Sequence, residues 1–448
     1  MTGNSSYDQL VQEDRVHRRV YADPQIYDDE MRRIFGRTWV FVGHESEVPE
    51  PGDFKTDTLG RRPIILVRGE DRKVRVLYNT CRHRGSKVAY EDYGNAEQFR
   101  CLYHGWTYET TGMLKGVPLR ERFRNFDPEP DFGLIPVPRT QSHRGFVFAS
   151  LSREGPSLEE HLGRGAYYLD QMCDRAPDGA IEAIRPIKCD YRGNWKLQLE
   201  NYADNYHAAI LHQSAFEVGA KMQQEKFGTR PFTMRNAVSK HIERNYGAGH
   251  SMVDYVGNRG PLWMNAYANP EYLKLMQAKY GPERAQDLLE LDVHIMIYPN
   301  LLLHTRMNHY RVLRPTAVDR TEVWSYPCKL KGAPRDVNDT LILNTAHHVS
   351  SMGEVQVDDL QAFTWVQDGL QVEDMDWVLF KLVGENVHVN EHGEREWHNT
   401  SEEMIRHEYV EWRRLMVGEK AQGSRPRQAE IGPIARPRSS ATQKEGRR

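Results

Sequence analysis

Short apolar runs divided by turn residues characterise the chain from about residue 37 to residue 153. Trp39–Val42, Ile64–Val67, Val74–Tyr78 and Phe146–Phe148 are rich in β-branched and aromatic residues, and prolines and glycines lie between them. Side chains of these types pack well on a pleated surface, whereas proline and glycine favour turns. Residues 37–153 are therefore predicted to form a compact domain made only of β-strands.

A helical pattern precedes this β domain. Asp28–Phe35 follows an extended Asp23-Pro24 pair and carries acidic residues in its first turn, where the helix dipole favours negative charge. Residues 1–36 are thus predicted to be a mainly helical segment that packs on the domain at the other end of the chain.

Residues 154–417 mix helical and strand-like patterns. Segments 194–214, 270–292 and 356–383 have helical periodicity. Four strand-like runs lie between the last two of these segments: His294–Tyr298, Leu301–Arg306, Tyr310–Leu313 and Glu322–Pro327. They are expected to pair in one antiparallel sheet. The chain as a whole is therefore predicted to be α+β, with an all-β domain before a helix-plus-antiparallel-sheet domain.

The composition is that of a globular protein and argues against several kinds of partner. Apolar residues make up 39% and charged residues 27%, and a formal net charge of -3 leaves no positive surplus for a nucleic-acid backbone. The apolar runs are far shorter than the ~18 residues that cross a membrane, and the first ten residues lack the apolar core of a signal peptide. A cytoplasmic protein without nucleic-acid or membrane partners is expected.

The end of the chain has a different composition. Residues 418–448 are rich in Arg, Gly, Ser, Pro and Gln and contain few apolar residues. Such a segment buries too little apolar surface to offset the entropy of ordering, so we predict a disordered basic tail.

Two short motifs each combine a cysteine with a histidine. Cys81-Arg82-His83 and Cys101-Leu102-Tyr103-His104 both follow a strand-like run and lead into glycine. Thiolates and imidazoles suit either zinc or an iron–sulfur cluster. The usual zinc grouping of Cys-x2-4-Cys with His-x3-5-His is absent, whereas two cysteines and two histidines fit a Rieske [2Fe–2S] cluster. A Rieske cluster is the main interpretation, with a zinc site or coincidence as the alternatives.

A second candidate metal site lies in Asn194–His212, which contains Glu200, Asp204, His207 and His212. On an ideal helix the first three of these share one face within about 60°, whereas His212 lies roughly 140° from His207. The histidines can meet on one metal only if the helix ends, tightens or bulges between them. If they do meet, two imidazoles and a carboxylate from elsewhere form a facial triad for non-haem Fe(II). An amphipathic helix with a solvated polar face is the alternative.

These motifs, in this order and spacing, resemble those of the large (α) subunit of Rieske non-haem iron ring-hydroxylating oxygenases over roughly residues 15–415. The second set is Asn194-Trp195-Lys196, Glu200-Asn201, Asp204 and Tyr206-His207-x4-His212. The resemblance places Cys81, His83, Cys101 and His104 at the cluster-ligand positions. It places His207 and His212 at the iron-ligand positions.

The resemblance also implies where the third iron ligand lies. The family places an aspartate there, usually the second of an Asp-Asp pair near the start of a C-terminal helix. Asp358-Asp359 looks like that pair, and Asp359 is the predicted ligand. Asp358 as the ligand, or an acidic pair that only caps a helix, are the alternatives.

Two further residues take roles from the resemblance. Asp204 would accept a hydrogen bond from His207 and carry electrons between subunits, with His104 of one chain meeting Asp204 of the next in a head-to-tail trimer. Asn201 lies near the iron in the family, as a distant ligand or as part of the pocket wall. An ordinary surface carboxylate and a packing asparagine are the corresponding alternatives.

Several residues are candidates for the wall of the substrate pocket. They flank the iron ligands or lie on nearby strands: Tyr202, Tyr206, Ala208, Phe216, Met296, Leu302 and His304. His304 and Arg306 alternate with Leu303, and we hypothesise that they bind a carboxylated or sulfonated aromatic through charge-assisted hydrogen bonds.

The resemblance implies the terminal oxygenase of a multicomponent aromatic-ring-hydroxylating dioxygenase, with a Rieske [2Fe–2S] cluster and mononuclear Fe(2+). Such an enzyme adds both atoms of O2 to an aromatic substrate to give a cis-dihydrodiol. Electrons would come from NADH through a separate reductase, directly or via a ferredoxin. A homotrimer (α3), or α3β3 with a small β subunit, is expected. A Rieske monooxygenase with the same cofactors is the close alternative, and a Rieske electron carrier is a distant one.

Overall fold

The computed structural model describes residues 7–124, 126, 132–218, 221, 241–255 and 269–419. The α-helices with both ends in this part are Arg19–Ala22, Pro24–Arg33, Leu158–Leu162, Arg164–Asp174, Lys196–Ala203, Ala208–Leu211, Pro270–Tyr280, Pro282–Glu290, Arg335–Val349, Gln356–Gly369 and Glu403–Val417, and residues 213–218 are also helical. None of these helices is long and apolar enough to cross a membrane.

The strands up to residue 150 are Val11–Gln12, Arg15–His17, Val40–His44, Asp53–Leu59, Arg62–Arg68, Val74–Tyr78, Tyr93–Asn95, Gln98–Arg100, Thr107–Glu109, Leu114–Gly116, Arg139–His143 and Phe146–Ser150. The later strands are Ile181–Ala183, Ile187–Tyr191, Ile242–Asn245, Ser251–Asp254, Val293–Ile297, Leu301–His304, His309–Ala317, Arg320–Leu330, Trp377–Leu379, Glu385–Val389 and Arg395–His398.

The predicted all-β region consists of three small antiparallel sheets, of four, three and three strands. No α-helix lies between Arg33 and Leu158 in the part of the chain that the structure describes. One apolar core of this region includes Phe54, Ile65 and Trp106, and it also contains the two motif cysteines. The cysteine motifs are therefore held by a packed β core.

A ten-stranded sheet organises the second half of the chain. The four strands predicted between residues 294 and 327 are neighbours in this sheet and pair antiparallel, which confirms that expectation. Because side chains alternate between the two faces of a strand, the sheet separates two apolar cores. Met296, Leu302 and Leu313 lie in the core that contains the helix Lys196–Ala203, whereas Ile295 and Leu303 lie in the other core.

The amino-terminal segment contains a hairpin as well as helices, and the prediction of a mainly helical segment over residues 1–36 did not include that hairpin. Val11–Gln12 and Arg15–His17 form a hairpin, and the second strand pairs with Trp377–Leu379. The helix Pro24–Arg33 follows, with the Asp23 side chain accepting a hydrogen bond from the Gln25 amide at its start. This helix packs on Glu403–Val417, which joins the amino-terminal segment to the second half of the chain.

Two predicted helices were too long. The segment 270–292 is broken at Gly281, whose φ of 79° lies in a region that favours glycine, and Pro282 then starts a second helix. The segment 356–383 is helical only to Gly369 and continues as the strand Trp377–Leu379. The tail predicted to be disordered lies outside the described residues from residue 420 onward.

Candidate metal centres

The two cysteine motifs form loops with the same backbone hydrogen bonds. In each loop the amide of Cys81 or Cys101 donates to the carbonyl five residues later, and the cysteine carbonyl accepts from the glycine amide four residues later. Gly85 and Gly105 have φ of 78° and 76°, a conformation that side chains with a Cβ rarely adopt. Gly85, two residues after His83, and Gly105, directly after His104, therefore close the two loops.

The four predicted cluster-ligand side chains converge. The ring centroids of His83 and His104 are 4.5 Å apart, and Cys81 and Cys101 are both buried. Burial raises the pKa of the Cys81 thiol, the hydroxyl of Tyr108 lowers it, and the neighbouring Cys101 raises it further. Nδ1 of His83 is buried without a hydrogen-bond partner. Two adjacent thiols, two adjacent imidazoles and an unpartnered ring nitrogen fit a [2Fe–2S] cluster with mixed ligands.

The second candidate centre forms where a helix is interrupted. Lys196–Ala203 ends at Asp204, whose φ of -111° and ψ of 119° are extended, and whose side chain accepts a hydrogen bond from the Tyr206 amide at 2.5 Å. Such a local side-chain contact competes with the helix. His207 and His212 then stand at the two ends of the short helix Ala208–Leu211. The short helix ends at Leu211, so His212 departs from helical geometry, and the two imidazoles approach with ring centroids 5.4 Å apart.

Asp359 completes a group of three possible ligands. Its Oδ1 lies 3.1 Å from Nε2 of His212 and 3.6 Å from Nε2 of His207. The ligand atoms of the three residues all lie within 4.8 Å of one another. Asp358 instead places Oδ2 3.3 Å from Nδ1 of His212, on the far side of that ring. The geometry thus favours Asp359 as a ligand and Asp358 as a residue that orients His212.

Packing of the helix Gln356–Gly369 determines where Asp359 lies. Asp359, Phe363 and Gln367 are buried at intervals of four residues and so share one face. The Phe363 ring lies 4.9 Å from that of Tyr191, and Oε1 of Gln367 accepts a hydrogen bond from the Asn194 amide at 2.9 Å. This face therefore packs against Tyr191 and Asn194, which shortly precede in sequence the helix that carries Asn201.

Asn201 and Asp204 both contact the three-residue group. Nδ2 of Asn201 lies 3.0 Å from Nε2 of His207 and 2.9 Å from Oδ1 of Asp359. Oδ2 of Asp204 lies 3.2 Å from Nδ1 of His207. Burial opposes protonation of His207, but Asp204 and Asp359 raise its pKa above the usual value. The expectation that Asp204 shares a helix with His207 was wrong, because the helix ends at Ala203; the contact arises from the turn instead.

The pocket candidates have different surroundings. Tyr202 stacks on His294 with ring centroids 4.6 Å apart, whereas Tyr206 is exposed. His304 is buried beside His294, at 4.2 Å between ring centroids. Arg306 forms an ion pair with Asp292 at 2.9 Å, which contradicts the hypothesis that Arg306 is available for an acidic substrate.

Sequence reasoning missed two buried polar residues, with a half-buried histidine beside them, near the candidate iron site. The strand His309–Ala317 carries His309 and Arg311 on one face, and His348 lies near His309 with ring centroids 6.2 Å apart. The available signal was the polar residue Arg311 inside the apolar run Tyr310–Leu313. A lone arginine in a predicted strand is usually surface-exposed, so the signal alone was weak.

The chain matches known protein families and known proteins. Residues 38–127 match the model of the Rieske [2Fe-2S] domain, and residues 179–418 match the model of the ring hydroxylating alpha subunit (catalytic domain). The chain is 31% identical over 369 residues to the 2-halobenzoate 1,2-dioxygenase large subunit of Burkholderia cepacia, covering 81% of this chain and 78% of that protein.

Two further similarities extend over most of the chain. The biphenyl dioxygenase subunit alpha of Paraburkholderia xenovorans is 30% identical over 369 residues, which is 79% of each protein. The solved structure of naphthalene 1,2-dioxygenase from Rhodococcus sp. bound to indole is 27% identical, with a TM-score of 0.79 and coverage of 90% of this chain and 95% of that chain.

Proposed function

Because the chain belongs to the ring-hydroxylating alpha subunit family of Rieske non-haem iron dioxygenases, we propose that the two centres described above are its cluster site and its iron site. Membership confirms the predicted fold class, the enzyme class and the two cofactors. Proteins of this family oligomerise and take electrons from a reductase, and this chain acts on an aromatic substrate. The observation that carries the assignment of the iron site is the meeting of His207, His212 and Asp359.

Each residue has a defined task in this proposal. Cys81, His83, Cys101 and His104 hold the [2Fe–2S] cluster, while His207, His212 and Asp359 hold Fe(2+). When bound, the cluster supplies single electrons, and the iron offers open coordination positions beside the substrate.

The residues around the iron ligands orient the ligand side chains. Asp204 and Asp358 each accept a hydrogen bond from the outer ring nitrogen of a histidine, at 3.2 and 3.3 Å, so that both Nε2 atoms face Asp359. Asn201 contacts the same inner atoms and forms part of the wall beside the iron.

The reaction we propose is cis-dihydroxylation of an aromatic ring. The ring, O2, two electrons and two protons give a cis-dihydrodiol in which both new oxygens come from O2. The electrons come from NADH through a reductase, directly or via a ferredoxin. A monooxygenase outcome needs the same cofactors and is the second candidate, but the relatives described above are dioxygenases by name.

Electron transfer between copies of the chain follows from the same proposal. Asp204 would connect His207 to His104 of the partner subunit in an α3 or α3β3 assembly. Apolar side chains beside His104 are exposed in the single chain, which supports the proposal that a partner subunit covers this surface. Leu102 is 76% exposed and Tyr103 is 60% exposed.

Isotope labelling tests the reaction without knowledge of the natural reductase. The protein is reduced chemically, mixed with 18O2 and a set of arenes and aromatic acids, and taken through one turnover. A diol with two 18O atoms supports the dioxygenase proposal, one 18O atom indicates a monooxygenase, and no labelled product from any arene rejects both.

The role of Asp204 needs a kinetic measurement. We expect Asp204→Asn to keep the cluster and the mononuclear iron. It should slow reoxidation of the reduced cluster by O2 and substrate by at least about tenfold, because the contact by which Asp204 positions His207 is lost. Glu217→Gln, which alters an exposed carboxylate of the same region, is the matched control. Equal rates in the two variants would contradict the role.

A further inference from the structure

Arg311 is a buried cation beside the candidate iron site. It is 3% exposed, and its guanidinium lies 5.6 Å from the ring centroid of Tyr202, the residue after Asn201. Asp359 is among the charges that act on it. In the sheet, Arg311 pairs with Leu302 on one side and Ser325 on the other, so it belongs to the face that packs toward the helix Lys196–Ala203.

This guanidinium has too few partners for its burial. Its one side-chain hydrogen bond with the described residues runs from Nε to Nε2 of His309 at 3.3 Å. No carboxylate in the described part of the chain forms an ion pair with it, whereas Arg306 pairs with Asp292 and Arg314 with Asp57. A guanidinium remains charged in proteins, and an unpaired buried charge is costly. The Nη groups of Arg311 are therefore available to an anion.

Two more hydrogen-bond donors lie on the same face. Since Nε2 of His309 accepts the bond from Arg311, the neutral ring carries its proton on Nδ1, and that Nδ1 is buried without a partner. Burial lowers the pKa of His309 well below its usual value, which keeps the ring neutral. Oγ of Ser325, directly opposite Arg311 in the sheet, is also buried without a partner.

We propose that this enzyme acts on an aromatic carboxylate, and that Arg311 binds the carboxylate with His309 and Ser325 as additional donors. The inference rests on the oxygenase function proposed above and names its substrate class. The planar guanidinium matches a carboxylate with two parallel hydrogen bonds. A neutral arene would leave this charge unpaired when water is excluded, so the site discriminates against it.

Relatedness alone does not decide this question. The names of the two relatives described above give a halobenzoate, which is an aromatic acid, as one substrate and biphenyl, which is a hydrocarbon, as the other. The two relatives are 31% and 30% identical to this chain. Arg311, which has no carboxylate partner among the described residues, favours the aromatic acid over the neutral hydrocarbon as the class of substrate.

Equilibrium binding to the iron-loaded protein under argon tests the proposal without turnover. The probes are benzoate, 2-naphthoate and biphenyl-4-carboxylate, each measured by calorimetry beside its neutral carboxamide, which has nearly the same shape. For the carboxylate whose ring fits the pocket, we expect wild type to bind the acid about 10- to 100-fold more tightly than the amide.

Three variants assign that preference to Arg311. Arg311→Gln is expected to bind the acid and the amide equally, and Arg311→Lys to keep part of the preference because it retains the charge but loses the planar fork. Arg306→Gln, which alters an arginine already paired with Asp292, is expected to keep the full preference. Iron content and the thermal midpoint of each variant identify any loss of folding.

The outcomes separate this proposal from the oxygenase function. Equal binding of acid and amide by wild type, or a preference that survives in Arg311→Gln, overturns the carboxylate site. If wild type then incorporates 18O from 18O2 into a neutral arene, the oxygenase function stands without it. Absence of iron together with absence of any labelled product removes the oxygenase function itself.

Discussion

Trp195 donates a hydrogen bond from its indole Nε1 to Oε2 of Glu30 over 2.9 Å, although 165 residues separate them in sequence. Oε1 of the same carboxylate accepts from Nζ of Lys196 at 2.6 Å and from the indole of Trp412 at 2.7 Å. Glu30 and Lys196 are almost completely buried. One carboxylate therefore joins the amino-terminal helix, the start of the iron-site helix and the last described helix.

Glu30→Gln is expected to lower the free energy of unfolding by about 3 kcal/mol, because it leaves Lys196 as an unpaired buried charge. Burial already lowers the pKa of Lys196, and Glu30 opposes that shift. The midpoint of urea unfolding gives the measurement. As a control, Asp339→Asn removes the exposed ion pair of Arg335 and Asp339 and is expected to cost less than about 1 kcal/mol. Equal effects of the two changes would contradict the importance of the buried pair.

Metal content distinguishes Asp359 from Asp358. Wild type is expected to contain about three iron atoms and about two sulfides per chain, from one cluster and one mononuclear iron. Asp359→Asn should reduce iron to about two with the sulfide unchanged, because only two ligands remain. Asp358→Asn should retain the third iron but weaken its binding about tenfold, since only the orientation of His212 is affected. The reverse pattern would make Asp358 the ligand.

The sequence allowed the short-range parts of both sites to be predicted, because their ligands lie within a few residues of each other. The spacing of Cys81 with His83 and of His207 with His212 carried that information. The sequence predicted that a helix must end, tighten or bulge between the two histidines if they share a metal. The short helix Ala208–Leu211 that ends before His212, and the turn at Asp204 before His207, became visible only in the structure. Asp359, far away in sequence, was placed by resemblance and not by pattern.

Long-range polar contacts could not be predicted in this way. Nothing near Glu30 in sequence indicates that its partners are Trp195 and Lys196, since the contact depends on how three helices pack. Arg311 and Arg306 are similar in sequence context. Only their surroundings distinguish Arg306, which pairs with a carboxylate, from Arg311, which has no carboxylate partner among the described residues. The hairpin of residues 11–17 likewise depends on a strand more than 350 residues later.

The hydroxyl of Tyr108 is expected to raise the reduction potential of the cluster. It accepts a hydrogen bond from the Arg82 amide at 3.0 Å, so its own proton is directed to Sγ of Cys81 at 3.2 Å. Reduction adds negative charge to the cluster, which a donor to a ligand sulfur stabilises. Loss of about 1 kcal/mol in Tyr108→Phe corresponds to a potential about 40 mV lower.

Redox titration followed by circular dichroism or EPR measures this shift. Tyr103→Phe is the matched control, because the Tyr103 ring lies beside His104 at 3.8 Å between centroids and phenylalanine retains that contact. We expect its potential to stay close to that of wild type. An equal shift in both variants, or none in Tyr108→Phe, would show that the Tyr108 hydroxyl does not act on the sulfur.

Glu200 is a buried carboxyl that accepts hydrogen bonds from the hydroxyl of Tyr21 at 2.8 Å and from the hydroxyl of Tyr409. Burial raises its pKa from 4.5 to about 7, although both hydrogen bonds lower it. The folded protein therefore binds more protons at this site than the unfolded chain between these two values. Its contribution to stability is fully present below about pH 4.5 and is lost as the pH rises through about 7.

Glu200→Gln removes this dependence while its amide oxygen still accepts from the two tyrosines. Relative to wild type, the variant should gain about 3 kcal/mol between pH 4.5 and pH 8, at about 1.4 kcal/mol per pKa unit. Urea midpoints of both proteins across that range provide the measurement. Burial lowers the pKa of His250 to about 4 and that of His294 to about 3, so these residues reduce stability as the pH falls below 6.5. They do so equally in both proteins. The difference between the two curves reports Glu200 together with its effect on buried Glu408, whose pKa is raised by burial and by the Glu200 carboxylate. Parallel curves would mean that Glu200 keeps an ordinary pKa in the folded protein.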